Sequence, residues 1–190
     1  MDLFEVVLLG VALSADAFAV TVSNTFAYPN ETAARKALMP LLFGLFQALM
    51  PVAGYIAGGI AAELIERYSG IVTLAILGVI GTNMIREGVS ALREKDEETP
   101  EEAGDESRLT VAKLVLQAIA TAIDAFAVGV SLRARTVSMF VAAPVIGLTT
   151  AALCLVALAV GGRLGKVLGD RAQVVGGIVL VCIGLRAFLF

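Results

Sequence analysis

Two carboxylates in this chain stand where charge is costly. Asp16 lies in the stretch Asp16-Ala17-Phe18-Ala19-Val20, and the same five residues return as Asp124-Ala125-Phe126-Ala127-Val128. In each copy the aspartate is the only charge in the middle of a long apolar run. An ionised carboxylate at a bilayer centre costs roughly 2.5–3.5 kcal/mol on insertion scales. A chain that accepts this twice, in the same local sequence, points to joint use of the two groups. Two carboxylates brought together would balance one divalent cation, and without it they would repel each other. Each can also take a proton, so the same pair can exchange a divalent ion for protons.

The polar groups near this pair are mostly hard oxygen donors. Ser23 and Asn24 follow Asp16 by about two helical turns, Thr121 precedes Asp124 by about one, and Gln47 and Asn83 stand in other apolar runs. Carboxylate, carbonyl and hydroxyl oxygen suit Mg²⁺, Ca²⁺ or Mn²⁺, whereas Zn²⁺ and Cu⁺ usually recruit His or Cys. There is no His, and Cys154 and Cys182 lie in apolar runs, where they read as buried small hydrophobes. The candidate ion ligands are therefore Asp16, Asp124, Ser23, Asn24, Gln47, Asn83 and Thr121. The plainer alternative is that each aspartate bonds a neighbouring helix and only fixes packing, and that Ser23 and Thr121 bond back to their own helices. Recurrence of the aspartate at equivalent places favours an ion site. No Gly-rich phosphate loop with its Lys is present, which removes ATP-driven transport by this chain alone.

The elements that must hold these residues are membrane helices. Apolar residues make up 58% of the 190, against about 45–50% in soluble domains. A spanning helix needs about 20 apolar residues, and six segments qualify: 3–25, 38–61, 69–91, 110–132, 138–161 and 172–190. The first of these begins with Asp2 and Glu5 rather than with positive charge, so it reads as a transmembrane helix and not as a signal peptide. A net charge of −3 argues against a nucleic-acid partner. From Glu94 to Glu106, eight of thirteen residues are Asp or Glu, with Pro100 and Gly104 among them. Such a run is expected to be a solvated linker. It divides the chain into 1–92, an acidic loop 93–108, and 109–190, with three predicted helices on either side.

The two halves align. Residues 12–23 match 120–131 at eight of twelve positions, an offset of 108. Further on, Gly44 falls on Gly147, Gly58-Gly59 on Gly161-Gly162, and Gly81 on Gly184, all at an offset of 103. A unit of three spans ends on the side opposite to its start, so the second half must enter the membrane upside down. The predicted fold class is an all-α integral membrane protein of six transmembrane helices, arranged as two inverted three-helix repeats. In transporters built this way the site lies near the midplane at the repeat interface. One side would carry ten Lys and Arg and the other four (Arg67, Arg133, Arg135 and Arg186). This places the acidic loop in the cytoplasm and both termini outside.

The segments "SADAFAV" and "TAIDAFAVG", the stretch Phe43 to Gly58, "GTNMIREG" (Gly81 to Gly88) and "GGIVLVCIG" at the start of the last helix resemble the bacterial manganese efflux pump family (MntP). That family is similar in plan to the lysine-exporter superfamily, and the resemblance covers nearly the whole chain. It implies secondary active export of Mn²⁺ from the cytoplasm across the inner membrane, with Asp16 and Asp124 essential and no resident cofactor. Some members have Ser two positions before both aspartates, where this chain has Ser14 and Ala122; some have Glu in place of Gln47 and Arg in place of Asn83. The alternatives are export of another divalent cation or of a basic amino acid. A remote one is an intramembrane aspartyl protease. Such enzymes carry Tyr-Asp and Gly-x-Gly-Asp, whereas here Ala15 and Ile123 precede the aspartates.

Overall fold

In the computed structural model of the chain, residues 3–94, 109–134, 138–168 and 171–189 are described, and the six elements among them are all helices. These are α1 (Leu3–Leu13), α2 (Ala15–Ala27), α3 (Ala33–Glu94), α4 (Val111–Ala134), α5 (Met139–Leu168) and α6 (Ala172–Leu189). Among the described residues, Ala33–Ala57, Val111–Arg133 and Met139–Leu164 are long and apolar enough to cross a membrane, and α1 with α2 makes a fourth span if the bent pair is counted as one. Large apolar side chains face outward, among them Ile56, Phe140 and Leu148, as expected where the surrounding solvent is lipid. Of the predicted acidic loop 93–108, residues 93 and 94 end α3, and 95–108 lie outside the described residues.

Two elements differ from the sequence expectation. The first predicted span, 3–25, is broken at Ser14 and bent by 43°. Ser14 Oγ donates to the Val11 carbonyl at 2.9 Å, a back-bond of the kind that bends helices. The predicted break between 61 and 69 is instead helical. Its sequence, Ala-Ala-Glu-Leu-Ile-Glu-Arg, is rich in strong helix formers. Even so, α3 is not straight. Gly54 packs on the Phe126 carbonyl, and Thr73 Oγ1 donates to the Ala120 carbonyl at 3.3 Å. Those two α4 residues are about 9 Å apart along the axis, whereas Gly54 and Thr73 would be about 28 Å apart on a straight helix. The chain must change direction between them.

Capping residues set where the chain enters two helices. Thr32 Oγ1 accepts the Arg35 N–H at 3.2 Å and Thr110 Oγ1 accepts the Lys113 N–H at 3.2 Å, which satisfies a free donor at each start. The two starts are tied together. The Leu109 N–H donates to Glu31 Oε1 at 2.9 Å, and Arg35 Nη1 donates to the Leu109 carbonyl at 3.2 Å.

Contacts recur between counterpart residues. A β-carbon added to Gly44 would lie 2.8 Å from the Gly147 carbonyl oxygen and 3.0 Å from Ala151 Cβ. One added to Gly147 would lie 2.7 Å from the Gly44 oxygen and 2.8 Å from Ala48 Cβ. Gly44 pairs with Gly147, and Ala48 with Ala151, at an offset of 103. The same holds further along: Gly81 meets Gly177 and Leu180, while Gly184 meets Leu74 and Leu77. The buried clusters repeat the relation. Ala17, Met39, Phe43 and Leu114 sit in one. Their counterparts Ala125, Ala142, Ile146 and Val6 sit in the other.

At Gly44 and Gly147 only a missing side chain permits this approach. Gly147→Ala should lower stability in detergent by about 1–3 kcal/mol, the usual cost of overpacking. Gly162, where an added β-carbon would meet nothing within 4 Å, should tolerate Ala without loss. Thermal unfolding of the two variants checks both outcomes.

Candidate ion site

Asp16 lies in the first turn of α2, just past the bend at Ser14, and is one-third exposed. Asp124 lies midway along α4; its side chain is exposed, and Oδ1 accepts the Ala125 N–H at 2.8 Å. Hydrogen bonds join Asn24 of α2 to Gln117 of α4, and the aspartates stand eight residues before the one and seven after the other, about 12 and 10 Å along helices that run in opposite directions. The repeated pentapeptides are therefore brought to one place although 108 residues separate them in the chain.

Gln47 sits beside this place. Its Nε2 donates to the Leu13 carbonyl at 2.9 Å, at the bend three residues before Asp16. The residue is fully buried, and Oε1 has no hydrogen-bond partner. An unmet buried acceptor costs about 1–3 kcal/mol, so an oxygen held there without a donor is suited to a cation or a water. Asn83 is exposed on α3.

The remaining candidates are occupied by helix contacts. Ser23 Oγ donates to the Gly176 carbonyl at 2.8 Å, joining α2 to α6. Thr121 Oγ1 donates to the Gln117 carbonyl of its own helix at 2.9 Å. Asn24 and Gln117 exchange amide hydrogen bonds, Nδ2 to Oε1 at 2.8 Å and Nε2 to Oδ1 at 3.2 Å, and both are fully buried. Asn24 lies eight residues beyond Asp16, about 12 Å along the axis, which is far beyond a shared coordination shell of about 2–2.6 Å bonds. At the counterparts of Asn24 and Gln117 stand Leu132, in the second buried cluster, and Leu9, partly buried and packed against it.

Sequence reasoning missed two features. One is the Asn24–Gln117 clasp. The other is Arg186, counted only as a charge near a helix end, whose Nη1 lies 3.8 Å from Asp16 Oδ1. The offset of 103 was a usable signal, because it places Arg186 opposite Asn83. The expectation of two buried cysteines is half right: both are free, but Cys182 is exposed and only Cys154 is buried. Among the described residues no group of three or more His, Cys, Asp or Glu gathers to hold a metal, so a cation here would rely on amide, carbonyl or water oxygen beside the aspartate pair.

An all-helical chain with several apolar spans and a carboxylate pair on two of its packed helices is a multi-pass membrane protein with the makings of an ion site. The family model described as "Putative manganese efflux pump" matches residues 30–188. A relative of the same description, MntP of Ruminiclostridium cellulolyticum, is 38% identical over 189 residues, which is all of this chain and 96% of that protein. MntP 2 of Clostridium botulinum strain Hall is 37% identical over 191 residues, covering 100% of this chain and 95% of its own. MntP of Methanosphaera stadtmanae is 32% identical over 187 residues, 98% and 99% of the two chains. The chain belongs to the manganese efflux pump (MntP) family. No solved structure matches it.

The buried amide clasp can be weighed by substitution. Asn24→Leu or Gln117→Leu alone strands a buried amide and should cost about 1–3 kcal/mol. The double variant reproduces the Leu9 and Leu132 pair and should recover most of that loss. A double-mutant cycle on thermal unfolding in detergent measures the coupling.

Proposed function

We propose that this protein is a secondary active exporter of Mn²⁺, moving the ion from the cytoplasm across the bacterial inner membrane. The observation that carries this is that the Asn24–Gln117 hydrogen bonds hold α2 against α4, with Asp16 and Asp124, one from each copy of the repeated motif, at about equal remove from that contact. The description of the family and of its relatives supplies the metal. The pair holds the ion directly. Gln47 Oε1 and Asn83 are the candidates left to complete its shell, while Ser23 and Asn24 tie α2 to its neighbours and Thr121 bonds back to its own helix. The chain carries out transport and no bond-making reaction.

The architecture we propose is six spans in two inverted repeats, 1–92 and 109–190. Counterpart contacts at Gly44 with Gly147 and at Gly81 with Gly184 support it, as does the division of counterpart residues between two buried clusters. Two further contacts support the expected sidedness. The start of α3 is tied to the start of α4 at Leu109, both assigned to the cytoplasmic side. Arg133 donates to the Tyr55 and Ile56 carbonyls at 2.9 and 3.1 Å, and both of these ends are assigned outside. The acidic loop then faces the cytoplasm and both termini face out. The halves rock about their contact so that the carboxylate pair opens to one side at a time, and protons replace the ion on the return.

Asp16→Asn and Asp124→Asn should each abolish manganese resistance in cells while the protein still inserts. Removal of 97–106 should leave most resistance intact. A null deletion together with active aspartate variants would move the site to the acidic loop. In vesicles, Mn²⁺ flux should follow an imposed pH gradient. Flux indifferent to that gradient would remove proton exchange but leave the ion site standing.

A further inference from the structure

Arg186 contributes no oxygen to an ion, yet it is the cation at the candidate site. Its guanidinium Nη1 lies 3.8 Å from Asp16 Oδ1. A charge-assisted hydrogen bond would be about 2.7–2.9 Å, so this is an ion pair without a tight hydrogen bond. The arginine side chain is 74% exposed, and a long flexible stem leaves it free to swing away.

The position is also asymmetric. At an offset of 103, Arg186 stands where the first half has Asn83, and the register is fixed two residues earlier by Gly81 and Gly184 with their matching contacts. One half therefore brings a positive charge to the third helix of its repeat and the other half a neutral amide.

We propose that Arg186 is a tethered counter-cation of the ion site, which neutralises Asp16 when the site is empty and is displaced by the incoming ion. This rests on Asp16 and Asp124 forming that site. Two adjacent carboxylates with no cation repel each other in a medium of low dielectric constant. A guanidinium at Asp16 removes half of that charge, so the pair just emptied of its ion carries net charge −1 rather than −2 before protons take the ion's place. The same group sets the cargo class. A monovalent cation gains no more Coulomb energy from Asp16 than the arginine already does, while a small divalent ion gains twice as much at equal distance. Displacement thus selects for doubly charged ions and disfavours Na⁺, K⁺ and lysine.

The test uses the full chain, purified and reconstituted, with Mn²⁺ binding by calorimetry and flux in vesicles. Arg186→Gln should bind Mn²⁺ on the order of tenfold more tightly, release it more slowly, and become sensitive to competition by K⁺. Arg186→Lys keeps the charge and should retain the parent affinity and its indifference to K⁺. The exchange Asn83→Arg with Arg186→Asn should restore parent behaviour by moving the charge to the counterpart position. The proposal is overturned if Arg186→Gln changes neither affinity nor K⁺ competition, or if Arg186→Lys behaves as Arg186→Gln does. Should Arg186→Gln not fold, the lysine variant and the exchanged pair decide, and loss of parent affinity in both overturns it. Asp16→Asn is measured alongside. If that variant binds Mn²⁺ as the parent does, the ion site itself is misplaced, an outcome distinct from a failure of Arg186.

Discussion

A carboxylate taken out of water needs a partner, and the rest of this structure can be understood from how Asp16 and Asp124 are supplied with one. Neither can rely on bulk solvent along a spanning helix. Asp124 accepts a bond from the next backbone N–H, and Asp16 stands near a guanidinium. Bringing them together requires α2 and α4 to pack closely with α3, α5 and α6, and close packing in lipid depends on small residues and backbone contact. The glycines at 44, 81, 147 and 184 provide that contact, and the bend at Ser14 sets the carboxylate just past a break in its helix.

Much of this was legible in the sequence, because duplication leaves a linear trace. The pentapeptide around each aspartate and the spacing of the glycines pointed to paired halves before any contact was known, and Gly44 does meet Gly147. Helix positions in α4, α5 and α6 followed from apolar length alone. The bend at Ser14 was not visible, since a serine in an apolar run carries no mark of whether its hydroxyl will bond back to Val11. Continuity of helix through 61–69 was missed because charge in Glu63, Glu66 and Arg67 reads as a break in apolar character, although these residues favour helix.

Of the candidate site, the sequence showed the two carboxylates but not what packs around them. Carboxylates in apolar runs announce themselves by cost. Which amide or hydroxyl joins them depends on how helices rotate against one another, and no local pattern encodes that. Gln47 and Asn24 looked alike as polar residues in apolar spans. Packing separates them: one ends with a buried oxygen unmet beside the bend, the other with both amide groups spent on Gln117. Arg186 was hidden for the same reason, since its reach to Asp16 crosses from α6 to α2.

The Asn24–Gln117 clasp has a further consequence. Both partners are uncharged at any physiological pH, and their bonds are short-ranged and shielded from water. A closure made from such a pair holds with the same strength in acid or alkali, at low salt or high. The counterpart place, held by Leu9 and Leu132, is uncharged as well and equally indifferent to pH and salt. Any response to acidity within these helices would then have to be read at Asp16 and Asp124, and not at either of these contacts.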